Sequence, residues 1–139
     1  MPAPTPYLFF DGVAADALRF YLDAFGGELA LHTFADFGRD DGPGDAIAHG
    51  ILRGPVDLFG ADLAAGAADE GALQVRGMQL SLLGAAAPDE LHRWFAALAE
   101  GGDVLDPLQQ RPWGDSDGSV RDRFGLTWLV GYEAAAATT

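Results

Sequence analysis

The chain has 139 residues, 49% hydrophobic and 11% aromatic, with 8 basic residues against 21 acidic ones and a formal net charge of -13. That apolar content can build the core of one ordinary domain and excludes a disordered acidic tail; the negative balance excludes the basic surface that nucleic acid or anionic lipid requires. Cysteine is absent, so disulfides, thiolate zinc centres and cysteine nucleophiles are excluded too.

The opening MPAPTPYLFF lacks the basic-then-apolar layout of a secretory leader. No apolar run nears the roughly 18 residues a membrane span needs. No membrane partner and a cytoplasmic location are expected. Pro6 to Phe10 reads as a buried strand and Asp11-Gly12 as a turn. A helix follows, because Ala14, Ala17, Leu18, Tyr21, Leu22 and Phe25 draw one apolar stripe. Gly26-Gly27 stops it. Glu28 to Phe34 reads as a strand, Asp36 to Gly44 as a loop, and Ala46 to Arg53 with Val56 to Phe59 as a strand pair. Asp62 to Gly71 is small and polar and reads as a linker.

The plan then repeats. Met78 to Leu83 reads as a strand, and Pro88, Asp89 and Glu90 open a helix whose stripe is Leu91, Trp94, Phe95, Leu98 and Ala99. Gly101-Gly102 ends it. Val104 to Leu108 begins a strand, Pro112 to Gly118 reads as a loop, and Ser119 to Arg123 with Leu126 to Tyr132 forms the last pair. Arg19-Phe20-Tyr21 and Arg93-Trp94-Phe95 stand at similar distances before their glycine pairs, an echo that duplication explains. The expected fold is α+β, two βαβββ modules forming a half-open barrel-like sheet. Module one covers about 5–62, the linker about 63–75 and module two about 76–133. A concave surface between the halves would be the usual place for a small molecule.

Pro6-Tyr7-Leu8-Phe9-Phe10-Asp11-Gly12, Ala17-Leu18-Arg19-Phe20-Tyr21 and Phe25-Gly26-Gly27 resemble the start of PhnB-like proteins of the glyoxalase/bleomycin-resistance/dioxygenase (vicinal oxygen chelate) superfamily. Pro107-Leu108-Gln109-Gln110, Pro112-Trp113-Gly114 and Asp122 to Val130 resemble that group's closing segment. The resemblance implies either a metal-free binding protein, like the bleomycin-resistance proteins, or a metal-dependent lyase, isomerase or dioxygenase. It also implies a homodimer. Metal-dependent members place ligands on the first and fourth strands of each half. The matching positions here are Pro6 or Tyr7, Asp57, Gln79, and Trp128 or Leu129, of which only Asp57 and Gln79 are ligand types. No cofactor is therefore expected; a divalent metal held by Asp57, Gln79 and His49 is the alternative. No glycine-rich loop follows a strand and opens a helix, so no dinucleotide or methyl-donor site is expected.

The candidate ligand-binding residues are Tyr7, Phe9, His49, Asp57, Gln79, Trp113 and Trp128. The aromatics would offer flat apolar walls, His49 an imidazole near neutrality, and Trp113, in a Gly/Asp/Ser loop, a cap on a pocket or a dimer contact. His32 is a lesser candidate on the second strand, and His92 reads as a surface residue. Asp36, Asp40, Asp41, Asp45, Asp115 and Asp117 read as solvated turn residues. Arg123 reads as a bend residue paired with a nearby acid.

Overall fold

A computed structural model describes residues 4–65 and 74–134 of the chain. The elements run β1 (Tyr7–Phe10), α1 (Ala14–Phe25), β2 (Glu28–Thr33), a 3-10 turn (Ala35–Phe37), β3 (Ile47–Arg53) and β4 (Leu58–Asp62). They continue as β5 (Leu80–Leu83), α2 (Pro88–Ala99), β6 (Asp103–Gln110), β7 (Ser116–Arg121) and β8 (Thr127–Tyr132). The chain divides into two compact units, Met1–Gln74 and Val75–Thr139. Each is a βαβββ module with an open four-stranded sheet, ordered β1-β4-β3-β2 in the first and β5-β8-β7-β6 in the second. In each, the first strand pairs parallel with the last, and the other pairs are antiparallel.

One face of each sheet is packed by its helix. In module one, Ala14, Ala17, Leu18, Tyr21 and Phe25 are the buried stripe of α1, and Leu8, Phe10, Leu52 and Leu58 are buried strand positions. Alternate residues of these strands turn to the other face. In module two, Leu91, Trp94, Phe95 and Leu98 of α2 are buried, along with Leu82, Val120, Trp128 and Val130.

Two buried carboxylates fasten the modules internally. The residue before α1, Val13, has no capping side chain. Asp62 at the end of β4 does the work instead, accepting the Ala14 and Ile47 backbone N–H groups at 2.9 Å each. It thus satisfies one of the helix's orphan donors and favours its positive end. In module two, Asp122 accepts the N–H groups of Phe124 (2.9 Å) and Leu126 (3.1 Å), closing the β7–β8 turn.

The glycine pair after each helix also has a packing role. A Cβ on Gly27 would lie 2.3 Å from the Arg53 carbonyl oxygen, and one on Gly102 would lie 2.2 Å from that of Arg121. Each helix exit is pressed against the end of β3 or β7, closer than any side chain permits.

Several sequence-based boundaries need correction. β4 runs Leu58–Asp62, not Val56 to Phe59, so Asp62 belongs to the sheet and not to the linker; residues 66–73 of that linker lie outside the described residues. β5 starts at Leu80, leaving Gln79 just ahead of it. β6 extends over Asp103–Gln110, and β7 takes in Ser116, Asp117 and Gly118, which read as loop. Gly118 is needed there because a Cβ would meet the Leu108 backbone nitrogen at 2.5 Å, where the β6–β7 ladder is irregular. Several surface acids are paired, not merely solvated, Asp115 among them, which accepts the Ala134 N–H at 2.8 Å. Asp41 bridges Arg39 at 2.7 Å. Asp117 and Asp106 share Arg111. Asp36 accepts the Thr33 N–H at 2.8 Å, and the Thr33 backbone and side chain hold its pKa below the usual value. Arg123 donates to the Glu100 carbonyl from Nε (3.2 Å) and a terminal nitrogen (3.1 Å), tying the turn to the end of α2.

Candidate functional site

The sheet face of module one opposite α1 gathers aromatic side chains. Tyr7 and Phe9 alternate with the buried Leu8 and Phe10 in β1, and remain 40% and 44% exposed. The register places Phe59 beside Tyr7 and opposite Ile51, on the same face. His49 lies two residues before Ile51, again on that face. The Tyr7 ring stacks on His49 (centroids 5.6 Å apart, planes at 17°), and lies 5.1 Å from Phe9 and 6.2 Å from Phe59. His49 and Phe59 are 5.8 Å apart. The Arg53 guanidinium carbon stands 5.3 Å over the Phe59 ring, within cation–π range.

The polar atoms of this face are few and ordered. The Tyr7 hydroxyl and His49 Nδ1 are 2.9 Å apart. When the phenol donates, the imidazole is the Nε2–H tautomer, and that edge is a donor for a ligand. Burial raises the Tyr7 pKa above its ordinary value, so the phenol stays neutral through physiological pH. His32 faces His49 across the β2–β3 ladder and stacks on Phe37, 5.9 Å away with planes at 13°. The arrangement can hold a flat apolar molecule by stacking and orient it through one imidazole edge.

Of the seven sequence candidates, the structure brings Tyr7, Phe9 and His49 together. Asp57 lies ahead of β4 and accepts the Gly54 N–H at 3.1 Å, a turn-closing role. Gln79 lies in module two, where its Oε1 accepts from the Ser119 hydroxyl at 3.4 Å. Trp113 is 68% exposed and lines a cavity of about 430 Å³ with Leu83, Ser116 and Tyr132. Trp128 is not a cleft residue. It is 1% exposed and donates its indole N–H to Asp122 Oδ2 at 2.9 Å. The alternation of β8 turns Trp128 toward the core, with Leu129 on the other face. His92 is exposed on α2 and sits 2.9 Å from the Tyr132 hydroxyl.

The first and last strands of each module do not offer the donor set of a divalent ion. Their positions away from the helices hold Tyr7 and Phe9 in β1, Phe59 and Ala61 in β4, Ser81 and Leu83 in β5, and Leu129 and Gly131 in β8. None is an imidazole or carboxylate, the groups such an ion takes. Among the described residues, no three His, Asp or Glu side chains group closely enough to hold a metal.

Phe59 and Arg53 are site residues the sequence reading did not single out. The signal available was the parallel between Gly50-Ile51-Leu52-Arg53 and Gly118-Ser119-Val120-Arg121. Both stretches pair their third residue with the strand that follows, Leu52 with Leu58 and Val120 with Trp128.

Residues 5–130 match the family described as the Glyoxalase/Bleomycin resistance protein/Dioxygenase superfamily. Protein YjdN of Escherichia coli is 29% identical over 140 residues, covering 91% of this chain and 92% of its own. Protein PA1353 of Pseudomonas aeruginosa shares the fold with a TM-score of 0.75 and 33% identity, over 96% of this chain and 99% of its own. The PhnB protein from Bacillus cereus superposes with a TM-score of 0.72 at 20% identity, over 94% and 99% of the two chains.

Proposed function

We propose a function from one premise: the chain belongs to the glyoxalase/bleomycin resistance protein/dioxygenase superfamily. Within it, this protein binds a small molecule and holds it against the aromatic face of module one, without a metal ion. The observation that carries this reading is the cluster of Tyr7, Phe9, His49 and Phe59, in which two large aromatic side chains stay exposed although the helix-facing side of the same sheet is filled. Exposed aromatic area of this kind gains free energy when an apolar ligand covers it. The absence of ligand-type residues at the strand positions argues against the metal-dependent lyase, isomerase or dioxygenase reading. Superfamily likeness and the open strand edges also support a homodimer.

A fragment screen read by thermal shift tests the binding reading. Planar apolar hits should stabilise the protein, and the double variant Tyr7→Ala/Phe59→Ala should lose that stabilisation while still unfolding cooperatively. Hits that stabilise the variant equally would place the ligand elsewhere. Light scattering at micromolar concentration tests the dimer; the mass of one chain would refute it.

A further inference from the structure

We propose that module two carries a binding site for a small organic anion, a carboxylate or phosphate head on an apolar body, held by Arg76 and Arg121. All eight basic residues of the chain are arginines. In a protein so acidic, most of them have partners. Arg39 pairs with Asp41, Arg93 with Glu90, and Arg111 with Asp106 and Asp117. Arg123 donates to the Glu100 carbonyl, and Arg53 covers Phe59.

Arg19 stands exposed on α1 with no ion pair among the described residues, and Arg76 and Arg121 differ from all of these in sharing a cavity. Both line one cavity of about 740 Å³, together with Gln79, Met78, Leu105 and Leu129, and no Asp or Glu lines it. Neither makes an ion pair among the described residues; Asp103, the ladder partner of Arg121, forms none with it. The lining is otherwise rich in donors. Gln79 receives the Ser119 hydroxyl on Oε1, which leaves its NH2 group to donate. Met78 and Leu105 are exposed hydrophobic residues beside these donors.

The site is also built into the backbone. Arg121 ends β7, and its carbonyl is clamped against Gly102. Arg53 occupies the equivalent place in module one, where an aromatic ring meets it. In module two the residue equivalent to Phe59 is Leu129, paired with Ser119 as Phe59 is with Ile51. An aliphatic side chain has no π-face for a cation, so the guanidinium is left to an external anion. Guanidinium groups bind carboxylate and phosphate oxygens with two parallel hydrogen bonds. The net charge of -13 repels anions in general, so an anion that binds here does so through a local site.

Calorimetric titration with octanoate, octyl phosphate, 1-octanol and inorganic phosphate tests the proposal. Octanoate or octyl phosphate should bind, and whichever binds tighter identifies the head group. Arg121→Gln and Arg76→Gln should each weaken that binding about tenfold, the loss expected of one charge-assisted hydrogen bond. Arg93→Gln removes the same charge from the exposed face of α2 and should leave binding unchanged. The proposal is overturned if neither amphiphile binds, if 1-octanol or inorganic phosphate binds as tightly as the amphiphiles, or if all three variants weaken binding alike. The aromatic face of module one is untouched by these variants, so this site can fail while the other stands.

Discussion

Trp128 and Asp122 are bonded side chain to side chain in the core of module two, Nε1 to Oδ2 at 2.9 Å, with both residues buried. The other oxygen of the same carboxylate holds the turn between the strands. Asp122→Ala should therefore lower unfolding free energy by about 2–4 kcal/mol, because several donors lose their acceptor at once. Trp128→Phe keeps most of the ring volume and frees one acceptor, so its cost should be smaller, about 1–2 kcal/mol. Urea denaturation of both variants checks the order; equal midpoints would contradict it.

The paired glycines make a sharper test of backbone packing. Gly26 has φ of 80° and an open Cβ position, whereas Gly27 has φ of 116° and a carbonyl oxygen in the way. Gly26→Ala should cost about 1–2 kcal/mol from conformation alone. Gly27→Ala should cost clearly more, since β3 must also move. Gly102→Ala should be destabilising with no left-handed φ involved, purely through the approach of the Arg121 carbonyl. Thermal midpoints of the three variants measure this; a neutral Gly102→Ala would refute the close approach.

Tyr7 sets an alkaline limit on module one. Its pKa is raised by burial, so the folded state keeps the phenol proton to higher pH than the unfolded chain. The resulting stability is fully present below the unfolded value of about 10 and is lost as pH rises through the folded value. A phenolate absorbance titration of the protein minus that of Tyr7→Phe should show Tyr7 ionising above the model phenol. A difference curve at or below that value would refute the raised pKa.

Metal content separates the two chemical readings of the family. Protein dialysed and then reloaded with zinc, nickel, manganese or iron should retain far less than one ion per chain by mass spectrometry. Stoichiometric retention would mean that side chains outside the eight strand positions named above supply the ligands, and would reopen lyase, isomerase and dioxygenase assays.

Much of the fold was legible because helices announce themselves by period. The stripes of α1 and α2 needed only the 3.6-residue repeat, and the echoing Arg-aromatic-aromatic and glycine pairs exposed the two modules. Strand ends were less legible where chemistry masks burial. Asp62 looks like a linker acid, yet it is buried because two backbone N–H groups surround it. Ser116-Asp117-Gly118 looks like a turn, yet Gly118 is in β7 to let β6 approach. These shifts decided which side chains share a face. Tyr7, Phe9 and His49 could be named from the sequence, but Phe59 and Arg53 needed the register. Trp128 went to the wrong face because a large aromatic is equally at home in a core and in a cleft.

Pro107 gives the two sheets different prospects in solution. It sits within β6, whose pairing with β7 is interrupted on both sides of Asp106. Proline supplies no N–H, and an interrupted ladder cannot present a regular row of partners to an incoming strand. β2, the corresponding outer strand of module one, pairs regularly from Glu28 to His32. When heat loosens the fold, chain-to-chain zippering should find a template along β2 that β6 does not offer.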